Sequence, residues 1–184
     1  MSSSLEEFGR ELRRLVGDAE GMRPLLCDGD PRECTVAIVG INPGTTTPFW
    51  PFWSDERGVD KQGWLRAYLN QHNGKYGRSR AAIERLLPQI KAKVIELNAH
   101  AKQSDRIAQL VKEHRTTDVL RFVMGTIRPK VALCAGADAS RAVKELDLDW
   151  PLEVIEAKHF IYWGRQQEAE LAAAVNRRIL PGAA

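Results

Sequence analysis

The segment most suited to chemistry runs Gly40-Ile41-Asn42-Pro43-Gly44-Thr45-Thr46-Thr47-Pro48-Phe49-Trp50-Pro51-Phe52-Trp53. Its glycines permit close approach of backbone to a ligand, and Pro43 fixes the turn. The Asn42 amide can accept from and donate to one water molecule at once. Phe49, Trp50, Phe52 and Trp53 place four aromatic rings within five residues. Such a cluster can stack on a planar ring, or it can plug the edge of a core. Neither a GxxxxGK[ST] phosphate loop nor a GxGxxG dinucleotide loop is present. Two more polar residues, Asn98 and His159, each follow a short apolar run. Taken alone, Asn98 suits a turn at a strand end and His159 suits a helix cap. His72, His100 and His114 show no partner spacing and read as surface residues.

The elements that must position these residues alternate between strands and helices. Ser4-Leu5-Glu6-Glu7 fits a capping box, and Leu5, Phe8, Leu12, Leu15 and Val16 give a helix over 5–16. Residues 18–34 read as a loop, Val36–Val39 as a buried strand ending at Gly40, and 41–62 as a long loop. Helices are expected near 63–72 and 80–88, the second capped by Ser79. A second strand ends at Asn98. Ser104 is expected to cap a helix carrying Ile107, Leu110 and Val111, and Thr117 one that Pro129 stops. Val131–Cys134 is a third strand, followed by Gly136 and a helix capped by Asp138. Leu152–Ile155 is a fourth strand, and a last helix spans 164–179. This pattern predicts an α/β fold, a three-layer α/β/α sandwich on a four-stranded, mostly parallel sheet. Ligands bind beyond the carboxyl ends of such strands, where Ile41–Gly44, Asn98–His100, Ala135–Ala137 and Lys158–Phe160 would converge.

With 184 residues, 43% hydrophobic and 28% charged, the chain reads as one domain with an ordinary core, over residues 1–184. No apolar run is long enough for a membrane helix, and no signal peptide is recognisable, so a cytoplasmic protein is expected. Cys27, Cys34 and Cys134 suit reduced thiols. The net charge of +3 conceals an acidic lead: residues 1–35 hold five Lys/Arg and eight Asp/Glu, leaving a balance of +6 for the rest. Lys75, Arg78, Arg80, Arg85, Lys91 and Lys93 face only Glu84 in sequence. That cluster is either an anion-binding surface or a solvated face.

Val36–Gly44, reading VAIVGINPG, resembles the first motif of the uracil-DNA glycosylase superfamily, in the form of its mismatch-specific uracil/thymine branch. The aromatic after the motif, the strand ending Leu97-Asn98, the turn Ala132–Ala139 and His159 at the start of the second motif follow in the family's order. Together they span roughly residues 35–175, so the acidic 1–35 segment reads as a helical extension of a uracil-DNA glycosylase-like domain. The resemblance implies that Asn42 holds the attacking water and that Asn98 reads the Watson–Crick edge of a flipped base. It also implies that Phe49, or a neighbour among Trp50 and Phe52, stacks on the base, with Ile41 beside it. His159, or backbone N–H groups of the Asn42–Gly44 loop, would stabilise the departing base. Gly44, Thr45, Arg78, Arg80 and Gly136 would meet the DNA.

Two features depart from the family. The second motif, usually His-Pro-Ser or Asn-Pro-Ser, reads His159-Phe160-Ile161 and lacks the residues of the usual minor-groove wedge. Asn42 stands where some branches keep a catalytic acid and cannot act as a general base. The three cysteines are too few for the iron–sulphur cluster of other branches, so no metal or cofactor is expected. Transient DNA contact by a monomer is the favoured partnership. The alternatives are a non-catalytic nucleic-acid or nucleobase-binding protein on the same fold, and an α/β enzyme for an unrelated small substrate.

Overall fold

The computed structural model describes residues 4–17, 21–104 and 107–180. In chain order the strands are β1 (Val36–Gly40), β2 (Trp53–Ser54), β3 (Gly58–Val59), β4 (Val94–Asn98), β5 (Val131–Ala135) and β6 (Glu153–Ala157). The helices are α1 (Leu5–Val16), α2 (Lys61–Gln71), α3 (Arg78–Leu86), α4 (Asp118–Ile127), α5 (Ala137–Lys144) and α6 (Arg165–Ile179). Four strands form one sheet in the order β4-β1-β5-β6, every neighbour parallel. The short β2 and β3 make a separate antiparallel hairpin.

The period-two alternation of β1 divides two cores. Ala37 and Val39 face one side, with Phe8 and Leu12 of α1, Trp64 of α2, Leu120 and Met124 of α4 and Val143 of α5. Val36 and Ile38 face the other, with Ile83 and Leu86 of α3 and Leu171 and Val175 of α6. Both faces being covered, β1 must be apolar throughout, as its sequence is. The fold is thus the expected α/β/α sandwich. Helix α1 is packed into the first core: Ser4 and Glu7 close its capping box, and Leu5, Phe8, Leu12 and Val16 are buried. The two outer layers are tied by the Arg85–Glu168 ion pair between α3 and α6 on one side, and by Arg13–Asp55 between α1 and the β2–β3 turn on the other.

Several boundaries differ from the sequence reading. The 41–62 segment is not loop throughout: Trp50–Phe52 form a 3-10 turn, the β2–β3 hairpin follows, and α2 begins at Lys61. Asp60 starts α2 by accepting from the Gly63 N–H at 2.8 Å. Ser79 is inside α3, not at its cap, because Gly77 is the extended residue that enters the helix. Likewise Gly136, at φ +102°, turns the chain into α5, and Asp138 lies in the first turn. Thr117 occupies the start of α4 but makes no side-chain cap bond. The helix expected after Ser104 is replaced by two 3-10 turns, Ile107–Gln109 and Lys112–His114; residues 105–106 lie outside the described residues. Of the expected apolar face, Leu110 is buried whereas Val111 is 55% exposed.

Candidate functional site

Gly40 and Asn98 are register partners at the carboxyl ends of β1 and β4. A Cβ on Gly40 would sit 3.0 Å from Asn98 Oδ1 and 3.0 Å from Phe160 Cε2. Glycine there lets an amide and an aromatic ring approach the same point of backbone, where any Cβ would be tightly crowded. The loop after β1 is laced to the loop after β4: Ala99 N donates to Gly40 O and His100 N to Ile41 O, each at 2.9 Å, and Ser104 N to Pro43 O at 3.1 Å. This lacing opens a cleft of about 500 Å³ beyond the strand ends, within the ordinary range for small-ligand sites.

Ile41, Asn42, Gly44, Thr45, Arg78, Arg80, Asn98 and His159 all line this cleft. They come from four separate segments of the sequence, so the fold brings together most of the residues singled out above. Asn42 Nδ2 donates to Ser104 O at 2.6 Å and to Pro43 O at 3.2 Å. Those carbonyls can only accept, which fixes the amide with Oδ1 turned the other way, ready to accept from a water or hydroxyl. Asn98 is 6% exposed, and its buried Nδ2 has no hydrogen-bond partner. A buried donor left unpaired costs about 1–3 kcal/mol. His159 is half-buried, and its Nδ1 accepts from the Ile161 N–H at 3.4 Å. Burial lowers its pKa, so the ring is neutral near pH 7. With Nδ1 an acceptor, the neutral tautomer carries its proton on Nε2 as a donor.

Phe49 is elsewhere. It is 1% exposed and packs on Trp50 at 5.0 Å and Trp53 at 6.0 Å. Trp53 stacks on Phe8, Arg13 lies over Trp50, and Trp50 Nε1 donates to Gly17 O. The aromatic cluster is a plug binding the loop to α1, and Phe49 cannot stack on a ligand in the cleft. Tyr68 and Phe160 do line the cleft; Phe160, beside Asn98, is held edge-on by His159 and Trp163 at 5.6 and 4.9 Å. Gly136 also lies outside the cleft, in an adjoining groove between α5 and α6 that shares His159.

The basic cluster divides as well. Arg80 is 5% exposed and gives both guanidinium nitrogens to Glu96, with Nη1 also 2.7 Å from Glu84. Lys61 Nζ completes the group, 3.0 Å from Glu96. Despite burial, the surrounding cations hold the Glu96 carboxyl far below its usual pKa. Arg80 thus braces the floor of the cleft and is no surface contact for DNA. Arg85 and Lys93 are taken by Glu168 and Glu33. Arg78 keeps an exposed side chain with no partner among the described residues.

Sequence reasoning missed Arg23, Tyr68, Ser104 and Phe160, all in the cleft wall. Phe160 was within reach, since it directly follows His159; Arg23 had no local signal. Among the described residues there is no group of three or more His, Cys, Asp or Glu that could hold a metal. The three cysteines are free and buried, and no described helix is long and apolar enough to cross a membrane. No protein-family model matches the chain, and no curated protein matches its sequence.

Proposed function

We propose that this chain is a DNA glycosylase-like enzyme that hydrolyses the N-glycosidic bond of a flipped uracil or related damaged base. The observation that carries the reading is the orphaned Asn98 amide, buried in a cleft with the Asn42 amide and a neutral His159. An unmet buried donor asks for an acceptor, and the edge of uracil offers carbonyl oxygens beside an N–H that Asn98 Oδ1 can accept. Extruding the base costs a few kcal/mol, recovered here by Asn98 and by the Phe160 ring at the same point of the cleft. The exposed Ile161 and Tyr162, 46% and 68% accessible, stand next to His159 where an apolar tip could enter the gap left in the stack.

In the reaction the bond from the sugar C1′ to the base nitrogen breaks first, its electron pair leaving with the base. Asn42 Oδ1 orients a water whose oxygen bonds to C1′ and whose proton passes to solvent. His159 Nε2–H donates to the developing negative charge on the base, a contact stronger in the transition state than before it. A neutral imidazole suits this role, because it stabilises the anion without first protonating it.

Among the described lining residues the one carboxylate is that of Asp138, which pairs with Arg141 at 3.2 Å. That absence of a free base among the described lining residues favours, as second reading, a nucleobase-binding protein on the same fold. Incubation with uracil-containing single-stranded and mismatched duplex DNA separates the two. Release of free base and alkali-labile abasic sites supports the enzyme. Salt-dependent binding without abasic sites, across every deaminated base, supports the binder.

A further inference from the structure

We propose that the cleft has a second half, formed by Arg23, Arg78 and the first turn of α3, that holds a phosphate group of the ligand. The proposal deepens the nucleobase reading of the Asn98 side and rests on it for the ring, but its own observations concern charge.

Helix α3 enters at Gly77, which has no side chain to cap it, and the first turn lines the cleft. The N–H groups of Arg78, Ser79 and Arg80 have no intrahelical acceptor, and the helix dipole adds partial positive charge there. A first turn ordinarily carries acidic residues. This one has none and carries two arginines instead. Arg80 is neutralised by Glu84 and Glu96; Arg78 is not.

Arg23 arrives from another direction. Residues 23–26 run antiparallel beside β4, with Arg23 N donating to Ala101 O and Leu26 exchanging both backbone bonds with Glu96. Its guanidinium lies over Trp64 at 5.4 Å, on a ring that Arg80 also covers at 5.5 Å. No carboxylate is within ion-pair distance of Arg23 among the described residues. Burial, and then the nearby Arg80 charge, pulls its pKa down to about 10, so it remains a cation at neutral pH.

Around this half stand four cations, Arg23, Lys61, Arg78 and Arg80, against the two carboxylates Glu84 and Glu96. Asn98, 6% exposed and with an unpartnered Nδ2, lines the same cleft on its nucleobase side. A site made of excess positive charge and unmet donors selects an acceptor-only group. Phosphate fits, either the monoester of a free nucleotide or the diester of a strand.

The test is calorimetric titration of the whole chain, at low salt, with deoxyuridine, dUMP and a dinucleotide whose phosphodiester joins deoxyuridine to its neighbour. The native chain should bind at least one phosphate-bearing probe about tenfold or more tighter than deoxyuridine. Preference for dUMP identifies the monoester, and preference for the dinucleotide the strand; either supports the site. Arg23→Gln and Arg78→Gln should each bring the ratio towards one. If Arg23→Gln does not fold, the exposed Arg78 still carries the test. Equal affinities in the native chain, no binding of either phosphate probe, or an undiminished ratio in Arg78→Gln would overturn the proposal. The nucleobase reading fails separately: a chain that prefers dUMP to deoxyuridine yet releases no base from uracil-containing DNA keeps the phosphate site and loses the glycosylase.

Discussion

Glu96 and Asn98 stand two residues apart on one face of β4, and both are almost wholly buried, at 4% and 6% exposure. Glu96 is saturated: Arg80 meets it with two nitrogens and Lys61 with a third. The Nδ2 of Asn98 meets nothing. One strand thus carries a polar group that holds the fold and a polar group that the fold leaves wanting. Burial alone does not separate structural from functional residues; the completeness of the hydrogen bonding does. The floor of the cleft is a closed network, and its wall is an open one.

The largest effect should come from breaking the closed side. Glu96→Gln leaves Arg80 and Lys61 buried beside a neutral amide, and should lower unfolding stability by about 3–5 kcal/mol in urea denaturation. The Glu96 pKa is depressed in the folded chain. Its contribution is therefore present above the ordinary carboxylate value of about 4.3 and is lost as pH falls towards the folded one. Acid unfolding of the native chain should show this loss, and Glu96→Gln should not. A variant as stable as the native chain would mean that the network does not hold the floor.

Next comes chemistry on the open side. Asn42→Ala should reduce base release roughly a hundredfold or more, since a displaced nucleophile loses most of the benefit of alignment. DNA affinity should change little, because Asn42 holds water and not the duplex. Unchanged turnover would remove its water-holding role.

The aromatic loop and the arginines show where the sequence was legible. The β–α alternation, the four strands and the ends of α1 and α6 follow from local periodicity and capping, which nearby residues determine. Asn42, Asn98 and His159 could be placed on strand ends, and strand ends of a parallel sheet converge. Phe49 and Arg80 could not be resolved, because each has partners far away in sequence. Phe49 is buried by Trp50 and Trp53 against α1, and Arg80 by Glu96, sixteen residues on. An exposed and a buried arginine look alike in Arg78-Ser79-Arg80, since helical phase decides which faces the core. Arg23 was hidden for the complementary reason: it lies in an irregular segment that only pairing with β4 puts in place.

Smaller effects refine the contrast. The lowered pKa of His159 keeps it neutral down to a pH below about 6.5. Base release should hold steady from neutral pH to that point and fall once a proton on Nδ1 ends the bond from the Ile161 N–H that orients the ring. His159→Asn should be slower and lack that acid limb; an acid limb retained in the variant would assign it to another group. Smallest is Arg78→Gln, which should flatten the salt dependence of DNA binding by about one counterion. Its stability should stay within about 0.5 kcal/mol of the native chain, as an exposed unpaired side chain predicts. An unchanged slope would leave Arg78 on a solvated face.

The contrast between the two β4 residues is tested most directly by Asn98→Leu, read for both stability and uracil binding. Leucine has the same branched set of side-chain heavy atoms as asparagine and no unmet donor. Unfolding stability should equal or exceed that of the native chain, while the chemical-shift changes that uracil produces at the cleft disappear. A loss of stability as large as that of Glu96→Gln, with uracil still bound, would show that Asn98 serves the fold and not a ligand.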